Sequence, residues 1–348
     1  MKPADPPRSP AILQTTLATI VRSIATTLRQ EYGIDPLPVL ASVGIDPAVM
    51  QDSELRLPMT TMSPLWLRCV EVTGDTDFGL RAVRYHQSAN LYGLDLALYA
   101  CASLGDAVRR HVQLVKLINT SAEPRIFPGE DGDWRLELHR IGPASPTMAA
   151  RDFYLLFHVR MFERLAGQPA SKLFRQLEFY REALADSSPW RQLGIPLLAD
   201  KQHATLVFRK ESWDRPLPGA NPRLLAEVEQ PILQHLARHG MPLPLSALRA
   251  RLAGMLRESV NLEQLAASLE IPPVQLQDAL RQQQVSFAQL LDQAREGQAL
   301  LLLGSSELPL ELVAERIGFS SASALVKAFR RWQGTTPLSY RKERLGRD

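Results

Sequence analysis

"LVAERIGFSSASALVKAFRRWQG", residues 312–334, contains the pattern that decides the fold of the C-terminal part of the chain. Apolar residues at helical spacing run up to a Gly-Phe pair, and small polar residues then lead into a second helical pattern. The second pattern carries Lys327, Arg330 and Arg331 and reaches Trp332. This order predicts a short helix, a tight turn and a basic second helix.

Each part of this stretch has residue types suited to its place. Gly318 suits a left-handed position at the end of the first helix, and Phe319 can then pack back into the core. Ser320 is placed to cap the second helix. The predicted apolar positions are Leu310, Leu312, Val313 and Ile317 in the first helix, and Ala324, Leu325, Ala328, Phe329 and Trp332 in the second. Such a pair of helices is a helix-turn-helix, whose second helix enters the major groove of DNA.

An earlier segment, "NLEQLAASLEIPPVQLQDALRQQQ" at 261–284, repeats the pattern. Asn261 is a good N-cap, and the Pro272-Pro273 pair marks a turn followed by a first helical turn. Between the two units, Ser286 and Gln289 have the spacing of a capping box and open a long helical pattern. The sequence therefore predicts two helix-turn-helix units joined by a long helix.

Charge is distributed unevenly over these units. Residues 258–315 contain nine acidic residues against two basic ones, whereas residues 316–347 contain eight basic residues against one acidic one. A block of positive charge on the last helices is the electrostatic footprint expected of phosphate contact. The second unit is therefore predicted to anchor the protein on DNA.

The motif "AERIGFSSASALVKAFRRWQGTTPLSYRK", which begins at Ala314, resembles the DNA-binding domain of AraC/XylS transcription regulators. Residues 37–218, with "YGLDLALYACASLGDAVRRHVQLVKLIN" and "DRPLP", resemble the sensor domain of the AraC subgroup that contains ornithine- and virulence-type regulators. The resemblance implies a transcription regulator with promoter DNA as its partner. The residues expected to contact DNA are Gln275, Asp278, Arg281, Ser321, Ala322, Ser323, Lys327, Arg330, Arg331 and Arg341.

The first unit departs from the family pattern. Glu270 stands where the family has Gly, and Asp278 lies where cations usually face DNA. Asp can accept a hydrogen bond from cytosine and Gln275 can pair with adenine, so either base readout or loss of DNA contact is open. In the second unit, Ser321 and Ser323 are open to two interpretations, as groups near base edges or as local caps. Lys327 replaces a typical Arg and keeps its charge without the bidentate fork.

The preceding region predicts an α+β fold. Residues 12–115 are mostly helical in pattern, "EPRIFPGEDGDWRLELHRIG" predicts a hairpin, and "MAARDFYLLFHVRMFERLAG" predicts a long helix. The expected domains are a disordered N-terminus at 1–11, an α+β effector-binding and dimerisation domain at 12–238, a linker at 239–246, and an all-α DNA-binding domain at 247–348. Aromatic residues that could line an effector pocket, or simply form core, are Trp66, Tyr85, Tyr92, Tyr99, Phe153, Tyr154 and Phe157.

Several function classes lack a signature in the 348 residues. The chain has no apolar run of about 18 residues, no secretory leader pattern and no HExxH, GxSxG or P-loop motif. Cys69 and Cys101 offer no CxxC, which disfavours an enzyme such as an alkyl-transfer protein with a DNA-binding tail. We expect a cytoplasmic non-enzyme without cofactor. Its expected partners are promoter DNA, RNA polymerase, an unidentified small-molecule effector and a second copy in a homodimer. The alternative is an interaction-only regulator whose acidic first unit does not touch DNA.

Overall fold

The computed structural model describes residues 14–87, 91–129, 131–140, 146–180, 188–199, 201–257 and 260–344. They form two compact units, divided between Ile232 and Leu233. The division falls inside one helix, Pro222–Arg238, and the next helix begins at Leu245. The domain limits drawn from the sequence stay a prediction, and the N-terminal segment expected to be disordered lies outside the described residues.

Unit 1 (residues 1–232) combines helices with two small sheets. Its helices are α1 (Ile20–Tyr32), α2 (Pro36–Ser42), α3 (Met59–Thr73), α4 (Phe78–Ala82), α5 (Leu94–Tyr99), α6 (Leu104–Leu114), α7 (Met148–Ala166), α8 (Ala170–Leu173), α9 (Lys210–Trp213) and most of α10 (Pro222–Arg238). Its strands are β1 (Thr15–Leu17), β2 (Arg56–Pro58), β3 (Ala122–Pro128), β4 (Trp134–Arg140), β5 (Phe174–Glu178), β6 (Leu197–Leu198) and β7 (Ala204–Phe208).

The larger sheet has the strand order β3-β4-β7-β5-β6, and its pairs are antiparallel except for β5 with β6. The predicted hairpin is β3–β4, in which Ile126 pairs with Leu136. The short β1–β2 pair is a correction to the mostly helical pattern of residues 12–115. Strands of three residues are too short to show a period of two, so the sequence pattern missed them.

The core of unit 1 forms around α7, the long helix predicted from the sequence. This helix is apolar on nearly every side, and Phe153, Phe157 and Phe162 are buried. A helix that is apolar all round belongs in the interior of a domain. Trp66 of α3 packs against Phe153 with ring centroids 5.4 Å apart. Helices α3, α4, α5 and α6 all contact α7, which is therefore the centre of the helical core of unit 1.

Unit 2 (residues 233–348) is entirely helical within its described residues. After the end of α10 it contains α11 (Leu245–Ala253), α12 (Leu262–Ser268), α13 (Pro273–Gln282), α14 (Phe287–Ser305), α15 (Leu310–Arg316), α16 (Ala322–Gln333) and α17 (Pro337–Arg344). Both predicted caps are confirmed: Asn261 and Ser286 form capping boxes with Gln264 and Gln289. The fold class predicted from the sequence is confirmed. No helix among the described residues has the length and apolar character needed to cross a bilayer.

Candidate nucleic-acid interface

The second helix-turn-helix consists of α15, a tight turn and α16. Val313 and Ala314 of α15, and Ile317 directly after it, pack with Leu325 and Phe329 of α16 in one buried cluster. Leu312 was expected on this apolar face, but its side chain is 42% exposed. Val313 and Ala314 lie four and three residues before Ile317 and share the buried face with it, whereas Leu312 falls to one side of that face.

Gly318 ends α15 in the left-handed conformation that the sequence predicts, with φ of +78°. The turn is closed by hydrogen bonds from Phe319 N to the Ala314 carbonyl at 2.9 Å and from Gly318 N to the Glu315 carbonyl at 3.1 Å. A Cβ atom at position 318 would lie 2.4 Å from the carbonyl oxygen of Leu256. Both the backbone angle and the lack of space therefore demand glycine.

The start of α16 is set by Ser321, which corrects the expectation that Ser320 is the cap. The Ser321 hydroxyl accepts a hydrogen bond from Ala324 N at 3.2 Å, and its backbone is extended. The hydroxyls of Ser321 and Ser323 lie 2.9 Å apart. The capping interpretation of Ser321 thus holds, while contact of these serines and Ala322 with bases stays a prediction.

One face of α16 is exposed and basic. Ser323, Lys327 and Arg330 follow one another at spacings of four and three residues, so they share a side of the helix, and all three are exposed. Lys327 and Arg330 form no ion pair with any residue that the structure describes. Their charge is therefore not offset by any described residue, as expected of cations that meet phosphate.

Two other predicted DNA-binding residues have partners in the protein. Arg331 donates through Nη2 to both carboxylate oxygens of Asp292, at 2.6 and 2.8 Å, and Trp332 Nε1 donates to the same carboxylate at 2.9 Å. Arg341 is half-buried and donates to the Leu308 carbonyl at 2.6 Å. These contacts hold α16 and α17 in place, and any contact of Arg331 or Arg341 with DNA stays a prediction.

The sequence interpretation missed the residues of α14 that position the second unit. Asp292 holds Arg331 and Trp332, while Arg295 donates through Nη2 to the Gly318 carbonyl at 3.1 Å. The Arg295 guanidinium also lies 5.0 Å from the ring centre of Phe319, and burial lowers its pKa. A signal existed, because Asp292 and Arg295 lie three residues apart on one face of a helix that is otherwise largely apolar.

The first helix-turn-helix has the same turn, although its sequence differs. Ile271 N donates to the Ala266 carbonyl at 3.1 Å and Glu270 N to the Ala267 carbonyl at 3.0 Å, which matches the second turn after a shift of 48 positions. Glu270 occupies the position of Gly318 and has φ of +55°. A side chain in this region costs about 1–2 kcal/mol, so the first turn is strained where the second is not.

The recognition helices correspond after a shift of 49 positions rather than 48. The buried residues Leu276, Ala279 and Leu280 of α13 match Leu325, Ala328 and Phe329 of α16. One extra residue therefore lies in the second turn. It follows that the helix positions of Lys327, Arg330 and Ser323 are taken in the first unit by Asp278, Arg281 and Val274.

The exposed face of α13 differs sharply from that of α16. Asp278 Oδ1 pairs with Arg281 Nη2 at 2.8 Å, so the cation and the anion offset each other. Val274 is 60% exposed and was not among the predicted DNA-contact residues. Gln275 is half-buried, and its Oε1 has no hydrogen-bond partner among the described residues. The first helix-turn-helix therefore offers DNA little net positive charge.

The aromatic residues considered for an effector pocket in unit 1 fall into three groups. Core side chains are Trp66 and Phe153, while surface or edge positions are held by Tyr85, Tyr92 and Tyr99. Tyr154 and Phe157 line a cavity. No cluster of three or more His, Cys, Asp or Glu side chains suited to a metal ion occurs within the described residues.

Comparison with known proteins agrees with this architecture. Residues 33–217 match the family model of the arabinose-binding N-terminal domain of the AraC transcription regulator, and residues 265–343 match a helix-turn-helix domain model. The ornithine utilization regulator of Pseudomonas aeruginosa is 25% identical over 334 residues, which cover 90% of this chain and 92% of the relative. The regulator VirS of Mycobacterium tuberculosis is 24% identical over 326 residues, covering 91% and 93%.

A solved structure shares this fold over most of the chain. The crystal structure of the transcriptional regulator CdpR from Pseudomonas aeruginosa has a TM-score of 0.50 and 18% identity, covering 88% of this chain and 96% of that one. An α+β unit followed by two helix-turn-helix units, the second with an exposed basic face, defines a DNA-binding transcription regulator. The chain belongs to the AraC family of transcription regulators.

Proposed function

We propose that this regulator is anchored on promoter DNA by α16 and its flanking cations. The observation that carries this proposal is the exposed basic face of α16, where Lys327 and Arg330 have no ion-pair partner among the described residues. The N-terminal residues of a recognition helix meet base edges in the major groove, which assigns base contacts to Ser321, Ala322 and Ser323. The longer cations further along the helix reach phosphates.

The length of α14 supports contact through both units. Its 19 residues span about 28 Å at 1.5 Å per residue. Successive major grooves on one face of B-DNA are about 34 Å apart. A connecting helix of this length is of the right order to present α13 and α16 to neighbouring grooves.

The two units then contribute differently. Asp278 replaces a cation and is paired with Arg281, so α13 adds little to phosphate attraction. Its contribution comes from base edges, through Gln275 and the apolar side chain of Val274, while Asp278 is a tolerated surface acid. Specificity for a DNA sequence would then depend on both helix-turn-helix motifs, while affinity for DNA depends mainly on the second.

Regulation belongs to unit 1. We infer that a small molecule bound there changes the affinity for DNA, by as much as it prefers one conformation or dimer arrangement over another, which is typically 1–3 kcal/mol. Contact with RNA polymerase, a homodimer and a cytoplasmic location complete the proposed picture of a one-component regulator without enzymatic activity.

Titration of a fluorescent promoter fragment at several salt concentrations tests the anchoring role of α16. The magnitude of the slope of log K against log salt falls by about 0.9 for each phosphate that the protein no longer neutralises. The double variant Lys327→Ala/Arg330→Ala is expected to lower it by about 2 and to weaken binding to all sequences.

The matched control is Arg84→Ala/Arg223→Ala, which removes two exposed cations from unit 1. Its salt slope is expected to equal that of the wild type. An unchanged slope in the α16 variant, with the helices intact by circular dichroism, would reject the assignment. A slope near zero for the wild type would favour the interaction-only alternative.

A further inference from the structure

The N-terminal end of α13 carries an exposed apolar patch. Pro272, Pro273 and Val274 follow one another there and are all exposed, Val274 by 60%. A single apolar residue at a surface is ordinary, but here three in a row open a recognition helix. Valine is also a poorer helix former than alanine or glutamine, and an exposed position offers little packing to offset that. The patch therefore calls for a role outside the folding of unit 2.

The patch occupies the positions that were assigned to base contacts in the other recognition helix. With the shift of 49 positions set by the buried residues, residues 272–274 correspond to residues 321–323. The caps give the same alignment independently, because Pro272 and Ser321 are the N-cap residues of α13 and α16. The two helices thus begin at equivalent positions with different chemistry, since Val274 stands where α16 has the hydroxyl of Ser323.

The start of α13 has little capacity for polar readout of DNA. Its two prolines have no backbone N–H group to donate. Residues 271–277 contain no charged side chain, and the next charged residue, Asp278, is paired with Arg281 at 2.8 Å. Glutamines at 275 and 277 are the polar side chains of this segment. At position 274 itself, the helix can offer DNA only an apolar contact.

The major groove contains one kind of apolar group at the edges of its base pairs, which is the C5 methyl of thymine. The other groups exposed there are hydrogen-bond donors and acceptors. An apolar side chain placed against them would remove water without replacing its hydrogen bonds, which costs free energy. A valine at the start of a recognition helix is therefore stabilised against thymine and destabilised against a G·C pair.

We propose that Val274 is a specificity-determining residue, which selects thymine in the part of the operator bound by α13 through contact with the C5 methyl group. The inference rests on the proposed function, because it requires α13 to lie in a major groove. Burial of one methyl group is worth about 0.8 kcal/mol, which corresponds to about four-fold in affinity. The competing occupant of the patch is a protein surface, as an interaction-only first unit would need.

Base analogues test this contact with the full chain. An operator is first selected from a randomised DNA duplex, and each of its thymines is then replaced singly by deoxyuridine. This change removes the methyl group and keeps every hydrogen-bonding atom of the base. Fluorescence titration at one fixed salt concentration gives the affinity for each duplex. At one or two positions, deoxyuridine is expected to weaken binding of the wild type about four-fold.

Variants then assign the methyl contact to its residue. Val274→Ser is expected to bind the thymine and deoxyuridine duplexes equally at those positions, whereas Val274→Ile keeps the preference. Leu67→Ala is the matched control, because Leu67 of α3 in unit 1 is 59% exposed, and it should keep the wild-type ratio. Loss of stability weakens binding to both duplexes alike, so the ratio of the two affinities reports the methyl contact.

A second analogue separates a methyl contact from hydrogen bonding. At the same positions, 5-methylcytosine should bind the wild type about four-fold more tightly than cytosine, and Val274→Ser should bind both equally. The two bases differ only in the methyl group, so a hydrogen bond to the base edge cannot produce this difference. Equal affinity of the wild type for the two cytosine duplexes would contradict the proposed contact.

The proposal is overturned if no thymine of the operator shows a preference that depends on Val274. It is also overturned if Val274→Ser keeps the full wild-type affinity and ratio at every position, which would assign the patch to a protein partner. Such a result, together with a normal salt slope, would leave α16 in place as the DNA anchor. A wild-type salt slope near zero would instead reject both proposals.

Discussion

Replacement of Gly318 by alanine is expected to destabilise the folded state for two separate reasons. The first is the left-handed backbone, with φ of +78°, which costs a residue with a Cβ about 1–2 kcal/mol. The second is steric, because the added Cβ would lie 2.4 Å from the Leu256 carbonyl oxygen, against ordinary contact at 3.4–4 Å. The obstructing atom is backbone, so no side-chain rotation relieves the clash.

The chain must therefore move by about 1 Å, which we place at a further 1–3 kcal/mol by analogy with overpacked cores. Gly334→Ala is the matched control: φ there is +69°, and nothing lies within 4 Å of the added Cβ. Gly334→Ala should cost only the backbone term of about 1–2 kcal/mol. The difference between the two variants then measures the clash alone.

Hydrogen exchange detected by mass spectrometry suits this comparison, because it reports local opening free energies within the intact two-unit chain. Peptides covering α15 and α16 should lose more protection in Gly318→Ala than peptides covering α16 and α17 lose in Gly334→Ala. Promoter affinity should fall in the same order, since the turn sets the direction of α16. Equal losses in the two variants, or full protection in Gly318→Ala, would refute the reasoning.

Three further predictions concern the first helix-turn-helix, in unit 2, and the core of unit 1. Asp278→Lys should raise affinity for any DNA and steepen the salt slope by about 1, with Asp278→Asn as control; a loss of roughly 1–3 kcal/mol confined to the native operator would instead show that the carboxylate reads cytosine. Glu270→Gly should raise the free energy of unfolding of unit 2 by about 0.5–1 kcal/mol in urea, because glycine removes the strain of the left-handed backbone. Gln284→Gly, at φ of +56°, should do the same. Destabilisation by both variants would contradict the inference that these positions are strained. Burial lowers the pKa of His86 to about 4, so its neutral form stabilises the folded state above pH ~6.5 and that contribution is lost as pH falls toward 4. The thermal midpoint of unit 1 should therefore fall less steeply over this range in His86→Gln, and an unchanged steepness would count against the assignment.

The turns and caps of unit 2 could be predicted because their signals are local. Gly318, Asn261 and Ser286 each act within four residues along the chain, and the structure confirms all three. The error of one residue at Ser320 has a physical reason, because consecutive small polar residues are almost equally good caps. Helix capping alone does not resolve adjacent serines.

Contacts between distant positions were beyond the sequence pattern. Asp292 and Arg331 are 39 residues apart and meet only because α14 passes beside α16. The cavity of unit 1 brings together residues from positions 115 to 204, on helices and strands with unrelated periods. In the sequence alone, Arg151 resembles any cation near the start of a helix. Its place in the wall of this cavity appears only when the larger sheet is folded against α7.

The extra residue in the second turn sets a rule for engineering hybrid regulators from this chain. A graft of the α16 surface onto α13 that is aligned on the turns, at 48 positions, would put the lysine of position 327 at Ala279, which is 6% exposed. That lysine would enter the core and the hybrid would not fold stably. Aligned on the buried residues, at 49 positions, the same lysine replaces Asp278 on the surface. A transplanted recognition surface therefore has to be aligned on the buried residues of the helix. A hybrid aligned on the turns would fail to fold, whatever its operator.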